Sequence, residues 1–142
     1  MVFTCCSCPT ANDYEPRIAA FTKKYCGADD EVALVAINVN TIKDDAPAEM
    51  KKRAEKKKYD YPFLHDETQG IARKYGAVTT PEFFVLNAER KVIYLGAMDE
   101  KDPPAAGGRN FVEAAVIAGP AGKLPETKET LARGCRIRYV RK

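Results

Sequence analysis

An α/β fold, with a mixed central sheet flanked by helices, is what this sequence predicts, and three observations carry the prediction. A short β-prone opening, Val2-Phe3-Thr4, runs into a helical pattern that begins at Pro9. Val32 to Ile37 is a continuous apolar run rich in β-branched residues, the pattern of a strand buried on both faces. Glu82 to Leu86 and Lys91 to Gly96 read as a hairpin turning at Asn87-Ala88-Glu89-Arg90. A right-handed β-α-β crossover followed by an antiparallel hairpin places helices on both faces of such a sheet.

The elements follow in order. Pro9 suits the first turn of a helix, where its missing N–H costs nothing. Ile18, Phe21 and Tyr25 recur at helical spacing behind it, and Pro16 should kink or restart that helix. Residues 41–66 form an insertion: a loop, a charged helix near Ala48 to Lys58, and a short extended piece at Phe63-Leu64. A further helix is expected from about Thr68 to Tyr75, stopped at Gly76, a residue suited to the left-handed conformation at a helix end. After the hairpin, Asp99 to Gly108 carries two prolines and two glycines and reads as loop. Asn110 can cap a last helix through Ala118, with Phe111, Ala114, Ala115 and Ile117 available for its buried face. The tail from Gly119 reads as irregular, ending in a strand at Ile137 to Val140.

The chain of 142 residues is long enough for one domain with a sizeable core, and residues 1–142 show neither an internal repeat nor a second core. Its net charge of +3 is too small to imply a polyanionic partner, so no nucleic acid is expected. A membrane span needs roughly 20 apolar residues, against a longest run of only Val32 to Ile37, so no membrane partner is expected either. The cytoplasm is the default location, and an exported or periplasmic one follows if a leader has been removed. Lys51 to Lys58 reads as a solvated helix face, and the arginines of the tail as a charged edge strand.

Five cysteines are the unusual feature: Cys5, Cys6, Cys8, Cys26 and Cys135. An odd number argues against a fully paired extracellular framework, and three within four positions suggest chemistry rather than stapling. Phe3-Thr4-Cys5-Cys6-Ser7-Cys8-Pro9-Thr10 contains a C-x-x-C between a strand end and a helix start. There the helix N-terminus stabilises a thiolate, and cysteines in such motifs have pKa values of roughly 3.5–7.5. A Cys5–Cys6 bridge would be vicinal and a Cys6–Cys8 bridge would close a strained loop. The least strained pair is Cys5 and Cys8, with Cys5 as attacking thiol and Cys8 as resolver. Val78-Thr79-Thr80-Pro81-Glu82 opens the hairpin, and Thr80 and Pro81 are read as the loop facing those cysteines.

These pieces resemble the thioredoxin-like branch of the alkyl hydroperoxide reductase/thiol-specific antioxidant (AhpC/TSA, redoxin) superfamily. The likeness runs through Phe3-Thr4-Cys5, Cys8-Pro9-Thr10, Ala36-Ile37-Asn38, Asp66-Glu67-Thr68-Gln69 and Lys74-Tyr75-Gly76. It continues through Thr80 to Leu86, Lys91 to Gly96, and Gly134-Cys135-Arg136-Ile137. The resemblance implies a thioredoxin-like fold, a redox centre at Cys5 and Cys8, and a cis peptide before Pro81. It matches residues 41–66 to the extra segment that distinguishes this branch from plain thioredoxin, whose Trp-Cys-Gly-Pro-Cys is here Thr-Cys-Cys-Ser-Cys.

The activity expected is thiol–disulfide exchange with protein or small-molecule thiol and disulfide substrates, supported by an unidentified electron donor. No cofactor beyond a redox-active Cys5–Cys8 disulfide is expected, and no metal. Cys6 and Cys135 are auxiliary redox candidates: a tail that folds back would bring Cys135 to the centre, whereas a buried structural cysteine is the plainer reading. Cys26 reads as structural, and His65, the one histidine, as a turn residue rather than a copper ligand. Two alternatives compete. Cys8-Pro9-Thr10 resembles the peroxidatic Cys-Pro-Thr of thiol peroxidases, and a redox-inactive thioredoxin-like interaction module would leave the cysteines incidental.

Overall fold

The computed structural model describes residues 1–100 and 108–141. Val2–Thr4 forms β1, Pro9–Tyr25 α1 and Ala36–Asn38 β2; a 3-10 turn at Lys43–Asp45 and α2 at Pro47–Lys57 follow. Phe63–His65 is β3, Gly70–Tyr75 α3, Thr79–Thr80 β4, Glu82–Leu86 β5 and Val92–Gly96 β6, before α4 at Phe111–Ala118 and β7 at Cys135–Arg136. Among the described residues, one five-stranded sheet runs in the order β3-β2-β1-β5-β6, and β4 pairs with β7 beside it. β1, β2 and β3 are parallel, while β5 runs antiparallel to β1 and β6 antiparallel to β5. Among the described residues no helix is long and apolar enough to cross a membrane.

Alternation along the central strand divides the core. Val2 joins Tyr14, Ile18 and Phe21 of α1 and Val112, Ala115 and Val116 of α4 on one face. Phe3 points the other way, into a cluster with Ala72, Ala77, Phe84 and Ile137. Successive strand side chains point to opposite faces, so a strand covered on both sides must be apolar throughout. Phe83 and Phe84 repeat the arrangement on β5.

The structure departs from the sequence expectation in five places. The strand expected at Val32 to Ile37 is β2 at Ala36–Asn38: its ladder with β1 opens at Val2↔Ala36, with Val2 N–H donating to Val35 O, and residues 32–34 precede it. Those residues are apolar because Val32 and Leu34 pack on the α1 side of the core. α1 is continuous through Pro16, so of the two expectations for that proline the restart does not occur. α3 starts at Gly70 rather than Thr68, since the buried Asp66 carboxylate accepts from the N–H groups of Gly70, Ile71 and Ala72 at 2.8–3.1 Å. Asn110 caps α4 as expected, but Val112, Ala115 and Val116 face inward while Ala114 and Ile117 face solvent. The turn that brings α4 in, where Phe111 N–H bonds Met98 O, directs the side-chain-poor Ala115 against the sheet. Finally, β7 is Cys135–Arg136, and Ile137 to Val140 is not strand.

The tail is irregular in backbone but firmly held. Ile137 is buried, and its N–H donates to Val78 O. Gln69 donates to Val39 O and Arg138 O and accepts from Val140 N–H, while Tyr139 donates its hydroxyl proton to Ala77 O. The inserted helix α2 is mostly solvated apart from the buried Met50, while Arg53 of α2 and Tyr59 just beyond it reach the buried Glu15 of α1. Most of the expected loop at Asp99 to Gly108 lies outside the described residues.

Candidate active site

Pairing of Phe3 with Glu82 in antiparallel β1 and β5 sets Thr80 and Pro81 beside the C-terminal end of β1, where the cysteines begin. In α/β proteins, sites form outside the carboxyl ends of the parallel strands. The Thr80–Pro81 peptide is cis, and both residues are fully buried. Glu82 secures the approach to them: its carboxylate accepts from the N–H groups of Val78 and Thr79 at 2.7 and 3.0 Å.

Cys5 and Cys8 are buried, at 3% and 1% exposure. Cys8 is the N-cap of α1, and its sulfur accepts from Ala11 N–H at 3.4 Å. A protonated Cys8 donates to Thr80 O at 3.1 Å, and Cys5 Sγ lies 3.4 Å from Thr80 Oγ1. Thr80 Oγ1 donates in turn to Cys135 O at 3.4 Å, and Thr80 and Cys135 are paired residues of β4 and β7. One threonine therefore touches three cysteines. Cys135 is exposed rather than buried, which corrects the plainer of the two readings made of it.

The loop between Cys5 and Cys8 is held from the other side by Asp45, which the sequence reading passed over. Asp45 Oδ1 accepts from the N–H groups of Cys6 and Ser7 at 2.6 and 2.8 Å, and Oδ2 accepts from the Ser7 hydroxyl at 2.6 Å. Asn40 donates to Oδ2 at 3.0 Å and Asn38 to Asp45 O at 2.6 Å, so this fully buried carboxylate is well satisfied. Hydrogen bonds to an ionised acceptor are roughly twice as strong as neutral ones. No local pattern announces Asp45. Its partners lie 38 and 39 residues away in the chain.

Within the dithiol, acidity is shifted toward Cys8 and away from Cys5. A hydrogen bond from the Cys5 thiol brings Cys8 down to about 4 against the opposition of burial, and Cys135 and the Ala11 N–H help. Cys5 is pushed well up by that same donation, then by burial and by the Asp45 carboxylate. The Thr80 carbonyl opposes ionisation, because its bond to Cys8 needs the thiol proton. The direction of these shifts runs against Cys5 as the attacking thiol, and so does the helix: it begins at Pro9, so its N-terminal field acts on the capping Cys8, whereas Cys5 lies three residues earlier.

The remaining candidates separate from this group. Cys6 is half-buried among Asp45, Arg53, Glu15 and Glu49, and burial followed by Asp45 pushes it up to about 11. Cys26 closes the far end of α1 against the core. The His65 ring bonds to the Asn40 carbonyl. All five cysteines are free thiols in this structure. A cavity of about 980 Å³, lined by Leu34, Phe83, Val85, Val116 and Leu124 among others, touches none of them.

A strand–cysteine-loop–helix unit facing a proline at the head of an antiparallel hairpin defines a thioredoxin-like protein. Within that class, the chain belongs to the Redoxin family, whose model matches residues 1–108. It is similar in structure to an uncharacterized conserved protein from Geobacillus kaustophilus, with a TM-score of 0.88 and 32% identity over 99% of this chain and 76% of that one. A hypothetical protein from Sinorhizobium meliloti matches with a TM-score of 0.85 and 29% identity, over 99% of this chain and 79% of the other. No curated protein matches the chain. Redoxin proteins are usually oxidoreductases, so the family suggests thioredoxin-like redox chemistry.

Proposed function

We propose that the protein is a thiol–disulfide oxidoreductase whose Cys5 and Cys8 alternate between dithiol and disulfide. The observation that carries this reading is the burial of both thiols at the head of α1 against one residue, Thr80, whose hydroxyl lies 3.4 Å from Cys5 Sγ and whose carbonyl lies 3.1 Å from Cys8 Sγ. In the reducing direction, the Cys8 thiolate attacks one sulfur of a substrate disulfide, forming a mixed disulfide and releasing the other sulfur as a thiolate. Cys5 then gives up its proton and attacks Cys8 Sγ. The substrate leaves with its second sulfur reduced, and two electrons have passed from the protein, which now holds Cys5–Cys8. Protein and small-molecule disulfides both fit this chemistry, and an external thiol donor must reset the pair. No resident cofactor or metal takes part in the scheme.

Peroxide reduction is the second reading, favoured by the charge on Cys8 and its place in Cys8-Pro9-Thr10. The groups that hold that charge are Cys5, Cys135 and an N–H, whereas a peroxidase also needs a guanidinium to polarise the peroxide. The deciding experiment alkylates the protein before and after reduction and maps the labels by peptide mass. Reversible pairing of Cys5 with Cys8, with Cys8 labelling first in the reduced form, is the expected result. Unpaired, slowly labelled cysteines would leave only an interaction module. Rapid trapping of a sulfenic acid at Cys8 by stoichiometric peroxide would favour the peroxidase.

A further inference from the structure

Cys135 lies beyond the residues that match the Redoxin model and has no part in the two-cysteine cycle, yet the fold delivers it to that cycle. Its position is built. At Gly134, φ is +152° and a Cβ would come within 2.0 Å of Thr80 O, so a residue without a side chain lets the tail approach this closely. Pairing then sets Cys135 opposite Thr80, the residue whose carbonyl accepts from Cys8 and whose hydroxyl meets Cys5. Downstream, buried Ile137 and the bonds of Gln69, Asn40 and Ala77 pin the chain on the far side of the cysteine. Cys5 and Cys8 are only 3% and 1% exposed, whereas Cys135 is exposed, so a bulky reductant meets Cys135 first.

We propose that Cys135 is the third redox thiol of this site, taking over the disulfide as a Cys8–Cys135 bridge and presenting it to an external dithiol reductant at the surface. This rests on the thiol–disulfide reading above. In the transfer, deprotonated Cys135 attacks Cys8 Sγ of the Cys5–Cys8 bridge. The Cys5–Cys8 bond breaks, Cys5 leaves as a thiolate, and the proton given up by Cys135 ends on Cys5. The step is an isomerisation with no net oxidation. A thiolate of the reductant next attacks the exposed Cys135 Sγ and Cys8 departs as a thiolate. The second reductant thiol then resolves the mixed disulfide, delivering two electrons in all. A low pKa makes Cys8 a good leaving group, and Cys135 is paired with Thr80, the residue whose carbonyl meets Cys8 Sγ at 3.1 Å. The main cause of the raised Cys5 pKa, donation to the Cys8 thiolate, vanishes once Cys8 is in a disulfide.

Tryptic peptides make the test direct. Arg17 ends a peptide holding Cys5, Cys6 and Cys8, whereas Arg133 and Arg136 bracket Gly134-Cys135-Arg136. The full chain is oxidised with limiting oxidised glutathione, quenched by alkylation at intervals and digested without reduction. Wild type should give an internally bridged Met1–Arg17 peptide and a population of that peptide joined to Gly134–Arg136. The joined form should dominate in a Cys5→Ser, Cys6→Ala double variant, where only Cys8 can supply the bridge. Cys135→Ser should still form Cys5–Cys8, but its reduction by a protein dithiol should slow roughly tenfold. No joined peptide in wild type, together with an unchanged reduction rate in Cys135→Ser, overturns the relay and leaves the oxidoreductase intact. Failure of both wild type and Cys135→Ser to form Cys5–Cys8 instead overturns the oxidoreductase itself. Should the double variant not fold, the wild-type peptides and the Cys135→Ser rate decide.

Discussion

The Cys5–Cys8 loop is gripped from two sides, and the two grips act in opposite senses. On the insertion side, Asp45 is fully buried, offers only acceptors and holds the backbone of Cys6 and Ser7; its charge pushes Cys5 up. On the tail side, the grip is a backbone pairing of Thr80 with Cys135, which brings donors to Cys8 and draws it down. One side fixes shape with a carboxylate, the other side supplies a thiol. That asymmetry adds to the largest cause of the difference in acidity, which is the donation from Cys5 to Cys8 within the pair.

Breaking the pair at its centre should have the largest effect. Cys8→Ser should bring disulfide exchange down to the uncatalysed rate, measured by reduction of a model protein disulfide. It should also change the pH dependence of stability. The folded Cys8 pKa of about 4 lies below the ordinary thiol value of 9.0, so its stabilisation is complete above 9 and is lost as pH falls to 4. Urea unfolding of the reduced protein should therefore show stability rising with pH across that window, and Cys8→Ser should flatten the rise. The raised Cys5 acts in the opposite sense only above pH 9. Because a stabilised thiolate favours the reduced form, the potential of the pair should lie above the roughly −270 mV of thioredoxin.

Removing the insertion-side grip comes next. Asp45→Ala leaves two backbone N–H groups and the Ser7 hydroxyl without their acceptor and should cost about 3 kcal/mol in urea unfolding. Asp45→Asn should cost less, and the lost charge should make Cys5 more acidic in pH-dependent alkylation. On the tail side, Gly134→Ala drives a methyl into Thr80 O and should destabilise by about 2 kcal/mol. The lifted tail should let Cys8 move back up, with the Asp45 bonds untouched. Cys6→Ala should do least, about 0.5 kcal/mol or less with exchange unchanged, because Cys6 faces Arg53 and Glu15 rather than the dithiol.

Much of this was legible from local pattern. The apolar β1, the Pro9 helix start, the hairpin and Gly76 at the end of α3 follow from periodicity and turn chemistry. That Thr80 meets Cys5 and Cys8 is consistent with a strand–C-x-x-C–helix unit followed downstream by a strand-start proline. The errors fell where a long-range contact overrode local preference. Val32 to Val35 is as β-prone as any stretch of the chain, but the ladder with β1 opens only at Val35 O and Ala36, and Val32 and Leu34 pack into the core instead. Ile137 to Val140 alternates like a strand, yet side chains of Gln69 and Tyr139 capture its segment instead.

By itself, the sequence determined the order of elements, the two-faced core and the cysteine motif at a strand–helix junction, because each is written in spacings of a few residues. Tertiary structure alone decided that Asp45 holds the loop, that Thr80 meets both thiols of the pair, and that Cys135 is paired with Thr80. Those outcomes depend on contacts spanning 39 residues from Cys6 to Asp45, 72 from Cys8 to Thr80 and 55 from Thr80 to Cys135. Electrostatic interaction and hydrogen bonding fall off with distance in space, not along the chain, so only the closed fold could set them.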